Sequence, residues 1–115
     1  MSTFDVPSSQ QEPDRVGALC AVLAKERRRH ILYALRDADD TAVTVEELVQ
    51  LLAEQEGADD GGERIERCLY HVSLPTLADA GIIEHDRRSG CVRYRPTPLL
   101  ERLLAQVTAL DQRDL

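Results

Sequence analysis

The sequence predicts a mainly α fold with one small β-hairpin, and three observations carry that expectation. Apolar residues recur at helical spacing in five segments. One of these segments opens on a capping box at Thr44, and another stops at Gly81. Two short strand-like runs flank a glycine-containing turn at residues 86–90, ahead of the last helical segment. At 115 residues there is room for one domain and little more. The apolar share is 43% but the aromatic share only 3%, so the core has to be built from Leu, Val, Ile and Ala, which suits interlocking short helices.

The elements follow in order. Residues 1–13 are polar and rich in Ser, Gln, Pro and Asp, and read as a disordered tail with neither the basic start nor the apolar run of a signal peptide. Asp14 caps a first helix that carries Val16, Leu19, Cys20 and Leu23 on one face. After the polar knot at 25–30, a second helix carries Ile31, Leu32 and Leu35 and stops in the acidic turn at 37–40. Residues 41–43 are β-branched at both ends and suffice for a minimal strand. In the capping box, the Thr44 hydroxyl accepts from the Glu47 amide while the Glu47 carboxylate reaches back; this third helix turns Val45, Leu48, Leu51 and Leu52 inward and ends near Gly57.

An acidic turn at 57–62 leads into a fourth helix, from about residue 63 to 80. Its expected inner face is Ile65, Cys68, Leu69, Val72, Thr76, Leu77 and Ala80. Pro75 lies inside it and should kink or break it, because proline lacks a donor and clashes with the preceding turn. Gly81 supplies the left-handed stop. Residues 82–85 and 91–95 form the hairpin, ended by Pro96 and Pro98. Thr97 caps a final helix whose apolar stripe is Leu100, Leu103, Leu104, Val107 and Leu110. Helices around a helix-turn-helix, followed by a two-stranded wing, form the simplest compact arrangement of this order. The expected fold is thus a winged helix-turn-helix over residues 14–96, with an extra amphipathic helix over 97–115.

The segment 26–35, Glu-Arg-Arg-Arg-His-Ile-Leu-Tyr-Ala-Leu, resembles the opening of haloarchaeal winged-helix proteins, a group largely without assigned function. The segment 69–83, Leu-Tyr-His-Val-Ser-Leu-Pro-Thr-Leu-Ala-Asp-Ala-Gly-Ile-Ile, is similar to that group's helix-to-wing junction and more distantly to that of ArsR-like regulators. The resemblance implies a winged-helix fold that tolerates Pro75, with DNA binding and often dimerisation. Composition agrees with a halophilic archaeon: net charge is −7, and Lys25 is the only lysine. An ordinary acidic protein would show the same balance.

In such a fold the fourth helix enters the major groove. Arg64, Arg67 and His71 fall on its polar face at i, i+3 and i+7, flanked by Tyr70 and Ser73 as candidate phosphate contacts. Arg87 and Arg88 sit at the wing tip, with Arg93 and Arg95 on the returning strand. Between residues 63 and 95 six arginines face five carboxylates, a net +1 in a chain of net −7. The competing interpretation pairs Arg64 and Arg67 with Glu63 and Glu66 on a solvated face. Arg27, Arg28 and Arg29 either touch phosphate or serve the fold, with Arg28 bracing Glu46 or Glu47.

Cysteines at 20, 68 and 91 form no disulfide framework or paired metal signature. A sensor site can be drawn from Cys68 with His71, and from His85 facing Cys91, but Cys68 on an apolar face reads as a small hydrophobe. No metal or other cofactor is expected, and no small-molecule substrate. Nucleophile elbow, P-loop, HExxH and dinucleotide fingerprint are all missing from the sequence, so an enzyme is not expected. No apolar run is long enough to span a bilayer. The expected protein is a cytoplasmic, DNA-binding transcriptional regulator, partnered by double-stranded DNA and a second copy of itself through the 100–110 stripe. The rival reading keeps the fold as a protein–protein module without DNA.

Overall fold

The structure, a computed structural model, describes residues 14–38, 42–57 and 59–113. The expected tail at 1–13 lies outside them, as do Thr41 and the second half of the acidic turn at 37–40. The fold is mainly α with one small antiparallel sheet and a C-terminal helix, the winged-helix arrangement. Helices α1 (Arg15–Leu23) and α2 (Glu26–Asp37) precede strand β1 (Ala42–Thr44) and helix α3 (Val45–Glu56). Helix α4 (Glu63–Cys68), a π-helical turn (Leu69–Ser73) and helix α5 (Leu74–Asp79) then run without interruption. Strands β2 (Ile83–Asp86) and β3 (Cys91–Tyr94) form the wing, and helix α6 (Pro98–Arg113) closes the chain.

The caps fall where the sequence puts them. Asp14 accepts from the Gly17 amide at 2.9 Å, and Thr97 accepts from the Leu100 amide at 3.2 Å. Thr44 accepts from the Glu47 amide at 3.1 Å, but the return contact differs from the expected one: its hydroxyl also donates to the Glu47 carboxylate at 3.2 Å. After α5 the Ile82 amide bonds to the Leu77 carbonyl and the Gly81 amide to that of Ala78. This is a Schellman stop, with Gly81 at φ +75 and the buried side chains of Ile82 and Leu77 accompanying it. Gly62, at φ +89, is needed for a second reason. A Cβ there would lie 2.5 Å from Val49 Cγ1, so glycine lets the turn lie against α3.

Strand β1 adds to the hairpin, giving the order β1–β3–β2 with Val43 opposite Val92 and His85 opposite Val92 on the other side. Val43, Ile83 and Val92 point into a core shared with Leu32, Leu48, Leu52, Leu69, Leu74 and Leu77. Asp86 and Thr44 are the partners of Cys91, one residue out of step with His85. His85 and Cys91 therefore occupy opposite sheet faces, and the drawn pairing of the two is excluded by the alternation of strand side chains.

The final helix also departs from expectation. Leu100 and Leu104 are buried in the protomer's own core, and α6 packs on α1. They cannot face a second copy, so the expected dimerisation stripe is reduced to Leu103 and Val107, half-buried, and Leu110, exposed. Leu51, expected inward, is also exposed. Polar ties reinforce α6 against α2. Arg29 donates to Asp111 through Nε at 2.9 Å and Nη2 at 3.2 Å, Tyr33 Oη donates to Asp111 at 2.6 Å, and Arg36 donates to Thr108 at 2.9 Å.

Candidate functional site

The break forced by Pro75 takes the form of the π-helical turn just before it. There the Leu74 amide reaches five residues back, to the Leu69 carbonyl. One wider turn rotates everything beyond Leu69. With Ile65 and Leu69 fixed inward, Ser73 rather than Val72 becomes the next inward residue. Ser73 is 3% exposed and lies 3.7 Å from Cys68 Sγ, whereas Val72 is 55% exposed. Two expectations are thereby corrected. Ser73 is sealed in the interior and unable to touch phosphate, and Val72 leaves the core.

Burial then sorts the outward side chains of this helix into three rows. Arg67 and His71 lie opposite the buried row, exposed. Glu63, Glu66 and Tyr70 turn toward the wing; with Arg67, His71 and Arg87 they line the groove between helix and wing. Arg64 falls on the far flank. Arg64 lines a separate cleft with Arg27, Glu56 and Asp60. The expected row of Arg64, Arg67 and His71 is therefore divided between two surfaces. Asp60 fixes the start of this helix, accepting from the Gly62 and Arg64 amides at 3.0 and 3.2 Å. Those amide hydrogen bonds hold its carboxyl below the usual range.

Helix and wing are joined through Tyr70. Its ring lies 5.6 Å from that of His85, and its hydroxyl lies beside Gly90. Pro75 offers no N–H to the preceding turn, and the Tyr70 carbonyl instead receives Arg87 Nη2 at 3.4 Å. Tyr70 is thus half-buried in the joint, with only part of it reachable from outside. His85 Nε2 is buried without a hydrogen-bond partner. Desolvation, and then the nearby Arg87 charge, hold its pKa below the ordinary histidine value.

The wing turn is braced at both ends. The Asp86 carboxylate accepts from the Arg88 amide at 3.0 Å, and the Gly90 amide reaches the Asp86 carbonyl at 2.8 Å. The Gly90 carbonyl accepts from the Val45 amide, also at 2.8 Å, at the start of α3. Arg87 and Arg88 project from this turn, exposed. Arg93 lies on the outer sheet face between Ala42 and Glu84, also exposed. Arg95, in contrast, is held by Glu84 at 2.6 Å.

The arginines at 27–29 serve the fold. Arg27 pairs with Glu56 at 2.7 Å. Arg28 does not brace Glu46 or Glu47; it donates to the Val22 and Ala21 carbonyls at 2.9 and 3.1 Å, closing the end of α1. Arg29 does the same for the Leu23 carbonyl at 2.8 Å while holding Asp111. Among the described residues, Arg64, Arg67, Arg88 and Arg93 enter no ion pair, and neither do Arg15 and Arg102. Cys68 turns toward Ser73 while His71 stands in solvent, so the pair drawn from them does not converge. No helix among the described residues is long and apolar enough to cross a membrane.

No curated protein and no solved structure matches the chain. A family model described as a domain of unknown function (DUF7344) matches residues 20–93, from α1 through β3. That match covers more than half of the chain, and the protein belongs to this family.

Proposed function

We propose that the chain is a DNA-binding transcriptional regulator whose α4–α5 helix enters the major groove while the wing tip meets the phosphate backbone. One observation carries the reading: Arg67 and Arg87 line the groove between helix and wing without an ion pair among the described residues, and the exposed Arg88 follows Arg87 at the wing tip. Arg67, Arg88 and Arg93 have no ion pair among the described residues, and Arg87 has only a 3.4 Å contact to a carbonyl. Arg27, Arg28, Arg29, Arg36 and Arg95 are all bound within the protein. Helix and wing together supply a row for base edges and a separate point for phosphate.

Anisotropy titration of fluorescent duplex DNA across KCl concentration tests the proposal. Wild-type affinity should fall with salt. Arg87→Ala combined with Arg88→Ala should weaken binding to every duplex alike and lower the log–log salt slope by roughly two. Absence of binding to any duplex at any salt concentration sinks it. The second reading, a protein-binding module on the same fold, is favoured by one feature. Glu63 and Glu66 line the same groove as Arg67, in a chain of net charge −7.

The proposal includes a cytoplasmic homodimer. Its surface would be what α1 and α6 leave outside the core, with Val16 51% and Leu110 58% exposed on two helices that pack together. A two-fold pairing would set the recognition helices about 34 Å apart, one turn of DNA. Sedimentation at micromolar concentration should give twice the 12.9 kDa chain mass, and a Leu110→Glu variant the single mass. A monomeric wild type removes the dimer.

A further inference from the structure

The π-helical turn inverts the burial expected of two neighbouring residues. Val72, an apolar residue, stands 55% exposed, while Ser73, a polar one, is 3% exposed. Both placements run against the hydrophobic effect. The Ser73 hydroxyl gains only the Cys68 thiol at 3.7 Å as a side-chain partner. Exchanging the two residue types would suit the core better. Nothing in the packing therefore calls for an isopropyl group at position 72. Wider turns of this kind recur at functional sites, and local rules are broken most often where a site needs it.

The surroundings narrow what the group can meet. Val72 follows His71, and both are exposed on the helix that also presents Arg67. An apolar contact on the helix that carries the unpaired Arg67 fits a polyanion that also shows small apolar groups. Duplex DNA does so at one place in the major groove, the 5-methyl group of thymine, which lies among polar base edges and between phosphate rows. An isopropyl group has no donor or acceptor, so among the bases it can favour only that methyl.

We propose that Val72 is a specificity-determining residue that packs on a thymine methyl group in the major groove. The inference rests on the DNA-binding reading above, and the test separates the two. A random-sequence duplex library is enriched on the wild-type chain, and the enriched duplex is resynthesised with each thymine replaced in turn by deoxyuridine. That exchange removes only the methyl group. At one thymine per bound protomer, wild-type affinity should fall by roughly three- to tenfold. Val72→Ala should bind the thymine and uracil forms equally, and Val72→Ile should keep the preference. Because Val72 lies outside the core, Val72→Ala should retain the wild-type melting temperature. The inference alone is overturned if every uracil substitution is neutral for the wild type, or if the penalty persists in Val72→Ala. Failure to enrich any duplex overturns the DNA-binding reading, and this inference with it.

Discussion

Leu104→Ala is expected to destabilise the protein by about 3 kcal/mol, within the range for a leucine emptied from a closed core. Leu104 is completely buried, as are Leu48, Leu69, Leu74 and Leu77. It lies on α6, outside the residues matched by the family model. The change should appear as a lower urea midpoint with an unchanged slope. A loss below about 1 kcal/mol would show that α6 adheres to the surface without completing the core. Leu110→Glu makes the natural contrast, because Leu110 is exposed and its replacement should leave the midpoint of the separated chain nearly unmoved.

Asp111→Ala should be the next most damaging change, costing about 2 kcal/mol, since it removes three hydrogen bonds and leaves Arg29 without its carboxylate. The effect should depend on pH in a defined direction. Hydrogen bonds from Arg29 and then from Tyr33 hold the Asp111 carboxyl below its ordinary value. A carboxyl with a lowered folded-state pKa contributes its full stabilisation above the unfolded value of about 3.9. That contribution is lost as pH falls through the folded value. Chemical denaturation at pH 7 and at pH 3 should therefore show the gap between wild type and Asp111→Ala narrowing at the lower pH. A gap of equal size at both would mean that the carboxylate charge contributes nothing to holding α6.

Much of the fold was legible because its signals are local. Asp14, Thr44 and Thr97 bind amides a few residues away, and Gly81 answers a backbone requirement that few other residues meet. What the sequence could not disclose depends on distant partners. Arg28 and Arg29 sit among three consecutive arginines that look alike, and their role is to close the end of α1. The stripe at 100–110 shows that α6 buries a face, but not whose core receives it. Helical periodicity also assumes a constant 3.6 residues per turn. Pro75 signals a disturbance without giving its form, and the resulting π-helical turn reverses the inward and outward assignment of Val72 and Ser73. Of the nine arginine, tyrosine, histidine and serine positions expected at the interface, Ser73 is the one removed by burial. Arg64 is carried to a different cleft, and Arg95 is taken up by Glu84.

The bond from the Val45 amide to the Gly90 carbonyl has a consequence for the kinetics of any encounter at the wing. It fastens the base of the turn to the first residue of α3, so the position of the wing against that helix is set before any partner arrives. Ordering a loop or a long side chain on binding costs about 0.5–1.5 kcal/mol for each group immobilised. Here the backbone portion of that cost has already been met in folding, and only the arginine side chains remain to be ordered. Removing the exposed charges of Arg87 and Arg88 should therefore be felt in how often a complex with a charged partner forms, and in the salt dependence of that rate, as well as in how long it lasts.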